Sequence, residues 1–356
     1  MIARHRGGNY PTVSVLIPSF GRPQRLLACL EGLADQSILP NEVVVVWQGD
    51  DFQTRDAVTA ASGALPYPLM DLHHPQTGIV PAENLALDYA IGEVIALIDD
   101  DAVPPPDWLK KHLEFYRDPT VGAVGGPADN WLIDGTLFPR RMVEPVGRLT
   151  SFGRVHGNMH TQALEWRSWP PAVVDHLVGY NLTLRRRAFD CFESGLRPYW
   201  QTFELDACLQ VKARGFRVVF DFSNVVDHYP RGVVYGGGRN GDLRLKIYNG
   251  AYNMALVLAK HSPLGLRMLR LTYLLLVGSV SCPGLLGAFM GYWRYGDLRR
   301  EVGVLLETWG AVISGWRAGS SLRNQSRQNG PIVRPARISS EIGASRQPGH
   351  SKLASG

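Results

Sequence analysis

Cysteine is scarce in this 356-residue chain: Cys29, Cys191, Cys208 and Cys282 stand apart, without CxxC or CxH spacing. That scatter argues against a zinc site or a disulfide scaffold and suits a reducing compartment. A secretory leader is not evident, because Met1 to Tyr10 are polar and the apolar run Val13–Ile17 is too short for one. Internal repeats are also missing. So is any broad excess of one charge. The net charge is +5, yet seven Lys or Arg face a single acid from Arg317 onward, so that tail carries +6 and the remainder about −1. Basicity confined to a tail rich in Ser, Gly, Asn and Gln argues against a nucleic-acid groove. It reads as a disordered tail, either solvated or drawn to anionic lipid headgroups.

Hydrophobic residues make up 45% and charged residues 19%, enough to build a large core. Val13–Ile17 predicts a strand, followed by a loop at Pro18-Ser19 and a helix with Leu26, Leu27, Leu30 and Leu33 at helical spacing. Glu42–Trp47 (EVVVVW) predicts a second strand, buried on both faces as in a parallel sheet. Asp71–His74 reads as a short strand, Ala82–Ile91 as a helix stopped by Gly92, and Val94–Ile98 as a buried strand. After Pro104-Pro105-Pro106 comes the helix Trp108–Tyr116. Further on, Val178–Leu184 predicts a strand, Phe203–Arg214 a helix closed by Gly215, and Arg217–Phe222 a strand. The alternation is that of an α/β protein with a mostly parallel sheet, whose ligands bind outside the carboxyl ends of the strands.

Leu271–Trp293 holds no charged residue over 23 positions, with Arg267 and Arg270 before it and Arg294 after. Roughly 20 apolar residues span a bilayer. Gly278, Pro283, Gly284 and Gly287 interrupt this stretch, however, and Pro283-Gly284 reads as a turn. A spanning helix, helices lying in the membrane interface and a soluble hairpin all remain open readings.

The strand Val94–Ile98 runs directly into Asp99-Asp100-Asp101. Three consecutive carboxylates repel one another and are costly without a cation. In an extended chain Asp99 and Asp101 face one side and Asp100 the other. A hard divalent ion takes such oxygen ligands and fills its shell with phosphate oxygens. An acidic solvated turn or a helix cap fits the three residues equally well.

The order of three blocks decides between them. VSVLIPSFGRPQRLLACLEGLADQ, TGIVPAENLALDYAIGEVIALIDDDAVPPPDWL and FELDACLQVKARGFRVVFDFSNVVDH follow one another over residues 11–230. Together they resemble family-2 glycosyltransferases. That resemblance implies an α/β GT-A fold, Rossmann-like, with a mostly parallel sheet flanked by helices. The division expected is an N-terminal tail (1–10), a GT-A domain (11–235), a C-terminal helical, membrane-associating region (236–316) and a basic disordered tail (317–356). Family roles follow residue by residue. Asp99 and Asp101 match the DxD that holds Mn2+ or Mg2+ and the nucleotide diphosphate, with Asp100 beside them on the donor side, and His228 matches a further metal ligand. Pro18, Ser19 and Asn84 match donor-binding positions, and Gly179-Tyr180-Asn181 matches the acceptor segment. Glu204 takes the position of the customary base, with Asp206 as a second catalytic candidate supporting it. Two residues apart on a helix face different ways, so both do not serve one proton.

The chain also departs from the family pattern. The second strand usually ends in an Asp that reads the nucleobase, whereas this chain has Trp47-Gln48-Gly49-Asp50-Asp51. Trp47 for stacking, Gln48 for a base edge and Asp50 or Asp51 as replacement acids become donor-binding candidates. Glu83 stands where the family often carries arginine. Gly236-Gly237-Gly238-Arg239 reads as a hinge or an arginine-bearing lid.

The implied activity is transfer of a sugar from a nucleotide-sugar donor to a glycan or lipid-linked acceptor hydroxyl, with inversion. The setting implied is polysaccharide, glycolipid or cell-envelope glycan synthesis at an anionic membrane surface, on its cytoplasmic face. Two alternatives stand beside it: a sugar nucleotidyltransferase, which would want a glycine-rich basic loop where this chain has SFGRPQR, and an inactive nucleotide-sugar-binding membrane protein.

Overall fold

Runs of β-branched residues make the centre of the sheet. Val13–Ser19 (β1) and Glu42–Gln48 (β2) are buried at every position, as strands covered on both faces must be. In the computed structural model, which describes residues 10–137, 145–157, 164–198, 202–230, 242–279 and 282–329, β1 lies between β2 and Val94–Leu97 (β4), parallel to both. Leu69–His74 (β3) extends the sheet beyond β2. Helices Pro23–Ala34 (α1), Phe52–Ala61 (α2) and Ile79–Tyr89 (α3) make the crossovers. α1 opens with proline at its first turn, where a missing N–H costs nothing. α2 was not anticipated; Asp51 caps it by accepting from the Thr54 amide at 3.2 Å.

Beyond β4 come Ala102–Val103 (β5), Trp108–Phe115 (α4), Val121–Gly125 (β6), Ala128–Asn130 (β7), the hairpin Arg148–Leu149 (β8) and Val155–His156 (β9), and Ala172–Val173 (β10). Leu182–Arg185 (β11), Phe203–Ala213 (α5), Arg217–Phe220 (β12) and Val226–His228 (β13) complete the unit. The main sheet runs β10-β12-β6-β11-β4-β1-β2-β3, with β11 antiparallel between β4 and β6. The strand expected over 178–184 is thus a tight turn at Gly179–Asn181 followed by β11. A second sheet, β5-β13-β7, stands over the carboxyl ends of the main one. Two apolar clusters cover the two faces of the main sheet.

Four helices follow: Leu243–His261 (α6), Leu264–Leu276 (α7), Leu285–Tyr295 (α8) and Leu298–Asn329 (α9). α6 lies along α9 so closely that a Cβ at Gly315 or Gly319 would strike the carbonyls of Tyr252 and Leu256. Residues 317–329, expected in the disordered tail, are the last turns of α9, because that packing orders them. The apolar stretch 271–293 is split between α7 and α8, so the spanning reading is not borne out: among the described residues no helix is long and apolar enough to cross a membrane. The stretch 236–239 lies outside the described residues.

Candidate donor and metal site

His228 reaches the aspartates through strand pairing. β13 runs antiparallel to β5, the two residues directly after Asp101, with His228 opposite Ala102. The Tyr229 amide donates to the Asp101 carbonyl at 2.9 Å, closing this corner. His228 Nε2 then lies 3.2 Å from Asp101 Oδ1 and 3.7 Å from Asp99 Oδ2. One ligand atom from each of Asp99, Asp101 and His228 falls within 4.8 Å of the other two. His228 Nδ1 lies 2.7 Å from Asn130 Oδ1; with the proton on Nδ1 the ring donates there and its Nε2 lone pair faces the two carboxylates. A lone pair and two carboxylates at this separation repel unless a cation lies among them. The donor set, two oxygens and one imidazole nitrogen, suits Mn2+ or Mg2+ completed by phosphate oxygens.

Asp100 turns the other way, as alternation requires, and is fully buried. Ser19 Oγ donates to it at 2.7 Å and the Arg22 guanidinium pairs with it at 2.5 Å. The same guanidinium pairs with Asp101. Burial pushes the Asp100 carboxyl upward, against the pull of Arg22. Asp100 and Ser19, both expected among the donor-binding residues, thus spend their side chains on each other. Asn84 is likewise engaged elsewhere, exchanging two hydrogen bonds with the Phe192 backbone. Pro18 is a buried member of β1, paired with Val46.

At the end of β2, Trp47 is nearly buried and stacks on His73 at 3.9 Å. The Gly78 amide donates to Gln48 Oε1 at 2.7 Å, and Gln48 Nε2 donates to the Ser19 carbonyl, so this side chain ties β1 to α3. Asp51 is occupied as the α2 cap and by the Gly21 amide. Asp50, by contrast, is exposed.

Glu204 and Asp206 part company on α5. Glu204 is buried and accepts from the Gly179 amide at 3.2 Å. Burial, with the charge of Asp99, pushes its carboxyl up to about 8. Asp206 faces α6, where Lys260 Nζ (2.9 Å), His261 Nε2 (2.7 Å) and Gln210 Nε2 (2.7 Å) surround it. Lys260 and His261 hold its carboxyl well below the usual range despite burial. Asp206 is thus committed to the contact with α6, and a carboxylate so paired is a poor proton acceptor. Tyr180 stacks on His228 at 5.1 Å, backing the ligand ring. Asn181 is a buried hub, accepting from Trp108 Nε1 (2.8 Å) and donating to the Pro127 and Asn224 carbonyls, so of the three expected acceptor positions it faces the core.

Sequence reasoning gave no role to Arg22 or Asn130, and it noted Glu83 only as a departure. Glu83 is 3% exposed, and its Oε2 is buried without a hydrogen-bond partner.

The sequence profile of Glycosyl transferase family 2 matches residues 14–192. Chondroitin synthase from Pasteurella multocida is 28% identical over 129 residues, 36% of this chain and 13% of that protein. Succinoglycan biosynthesis protein ExoM from Rhizobium meliloti is 28% identical over 118 residues, 32% of this chain and 38% of that protein. The alignments thus span well under half the length of these relatives. Among solved structures, S. aureus TarS 1-349 in complex with UDP-GlcNAc shares the fold at TM-score 0.56 and 14% identity, over 91% of this chain and 93% of that one. Mannosyltransferase PcManGT from Pyrobaculum calidifontis, in complex with GDP-Man and Mn2+, does so at TM-score 0.51 and 18% identity, over 88% and 84%.

Proposed function

Because the chain belongs to glycosyl transferase family 2, we propose that it moves a sugar from a nucleoside-diphosphate donor to an acceptor hydroxyl with inversion, using a divalent metal. The observation that carries this reading is the meeting of Asp99, Asp101 and His228, with the oriented Nε2 of His228, at the carboxyl end of β4. These three side chains would hold Mn2+ or Mg2+. The ion's contribution is to neutralise the diphosphate as it leaves. Glu204, held by the Gly179 amide, takes the acceptor proton as the acceptor oxygen bonds the anomeric carbon and the bond to the diphosphate breaks. A carboxyl poised near 8 is well matched to a proton transfer close to neutral pH. A nucleotidyltransferase is disfavoured, since Arg22 is turned onto Asp100 and Asp101 rather than toward an approaching triphosphate. The intact metal-ligand set speaks against a purely binding role.

The reading extends to place. α7 exposes Leu264, Met268 and Leu276; α8 exposes Leu285, Leu286, Phe289, Met290 and Trp293; α9 exposes Leu298, Val302 and Leu306. Each set recurs at helical spacing, and Arg294, Arg299 and Arg300 are exposed beside them. Apolar stripes with aromatic residues and arginines fit the interface of an anionic bilayer, where glycan or lipid-linked acceptors for polysaccharide or envelope synthesis would be met. The four cysteines, none of them in a disulfide, suit the cytoplasmic face.

Purified protein incubated with UDP-, GDP- and dTDP-sugars and Mn2+ should release nucleoside diphosphate in the presence of acceptor glycans. Release undiminished in Asp101→Ala would overturn the metal assignment.

A further inference from the structure

Arg22 stands where a helix favours a different residue. It opens α1, a position that suits a short acceptor side chain and disfavours positive charge, and its side chain does not cap the helix. The backbone there is nonetheless pinned. Gly21 turns the chain at φ 69°, and its amide donates to Asp51. Pro23 follows, and the Arg22 carbonyl accepts from the Arg25 and Leu26 amides, both at 3.0 Å. A side chain on so fixed a stem is delivered to one place.

That place is the aspartate run. The guanidinium meets Asp100 side-on, with Nε 3.3 Å from Oδ2 and Nη2 2.5 Å from Oδ1. Its remaining nitrogen, Nη1, pairs with Asp101 Oδ2. Asp100 is itself anchored, since Ser19 Oγ at the end of β1 donates to its Oδ2 at 2.7 Å. The two oxygens of Asp101 are therefore divided: Oδ2 goes to Arg22, and Oδ1 faces His228 Nε2 at 3.2 Å. A carboxylate is planar, so a grip on one oxygen aims the other.

We propose that Arg22 is a positioning residue for the metal site: seated on Asp100, it holds Asp101 Oδ2 so that Oδ1 is presented to a divalent ion beside Asp99 and His228. The middle aspartate then acts through Arg22 rather than on the donor. This role presumes the metal-dependent transfer proposed above and adds to it the residue that orients a ligand. Outer partners of this kind fix the direction of a metal ligand and set its affinity. The planar fork is what the role requires. A lysine would keep the charge, but a single ammonium cannot sit bidentate on one carboxylate and fix a second.

Mn2+ titration of the full chain in the presence of UDP tests this, read by calorimetry and by loss of the free-ion signal in electron paramagnetic resonance. Arg22→Lys should weaken Mn2+ binding by about tenfold or more, with UDP affinity in EDTA unchanged. Asp100→Asn loosens the seat without facing the ion and should weaken Mn2+ binding as well. The double variant should bind no more weakly than the worse single one, because both changes act through one chain of contacts. Parent-like Mn2+ affinity in Arg22→Lys would reduce the residue to a counterion, and tighter binding would make it a competitor of the ion; either overturns the proposal. So does a loss of UDP affinity in EDTA, which would make Arg22 a phosphate ligand, or additive losses, which would put Asp100 on the ion or the donor directly. Should Arg22→Lys not fold, unchanged Mn2+ affinity in Asp100→Asn alone is enough to overturn it. A parent that binds no Mn2+ with UDP would instead sink the metal reading, and this inference with it.

Discussion

The α/β unit and the C-terminal helices treat their side chains in opposite ways. Through β13 the apolar residues are largely inside, and the expensive groups brought in with them are carboxyls: Glu83, Asp100, Asp101, Glu204 and Asp206 are all buried. From α7 to α9 large apolar side chains stay outside, with Trp293 79%, Met268 70% and Met290 69% exposed. Buried carboxylates reduce stability unless something compensates them, and so do exposed apolar stripes. On the proposed reading the first unit would be completed by a ligand that brings positive charge, and the second by a surface that removes water. That reading divides chemistry from attachment, and α5 with α6 is where the two units meet.

Four variants break or sharpen that division. Asp101→Ala should reduce transfer by about 10³-fold or more and abolish Mn2+ binding by calorimetry, while vesicle binding stays as in the parent. Glu204→Gln should lower kcat by roughly 10² to 10⁴-fold with donor affinity retained. The same change should alter stability in a pH-dependent way. Between the unfolded carboxyl range and about 8 the native state holds a proton that the unfolded chain has lost, so parent stability falls as pH rises through that window. Glu204→Gln should therefore match the parent in acid and melt higher at pH 8, by about 3 °C or more.

Asp206→Asn attacks the seam. Leaving Lys260 and His261 without their shared carboxylate should cost about 3 kcal/mol in urea unfolding. The surviving folded molecules should keep most of their turnover. Since the Asp206 carboxyl is depressed, its stabilisation is present above the unfolded range and lost as pH falls through the folded value, so the deficit should shrink in acid. The smallest effect is expected at the attachment surface. Trp293→Glu should weaken flotation with phosphatidylserine vesicles by about tenfold, with transfer to a soluble acceptor unchanged. Loss of transfer to a soluble acceptor in that variant would merge the two roles.

Much of this was legible in the chain. β1, β2 and β4 are continuous β-branched runs, and one of them delivers the aspartates to its own carboxyl end, so periodicity and spacing sufficed. His228 was reached only by resemblance. It meets Asp101 through two strands of two and three residues, β5 and β13, too short to carry a pattern. The pairing of Asp206 with α6 was not legible because α5 is buried almost all round, so no polar face marks which carboxyl looks inward. Its partners lie more than 50 residues away on α6. The end of α9 was hidden by composition: Gly319, in the stretch that read as disorder, and Gly315 just before it are where α6 needs backbone-to-backbone contact.

Arg22 carries a consequence for how the enzyme is made and handled. Its guanidinium spans Asp100 and Asp101, so this run of aspartates has a built-in counterion. The turn that presents the DxD can then close during synthesis without waiting for a metal, unlike small zinc domains whose folding is the act of binding. Chelation should strip the activity and leave the architecture standing, ready to be recharged when the ion is returned.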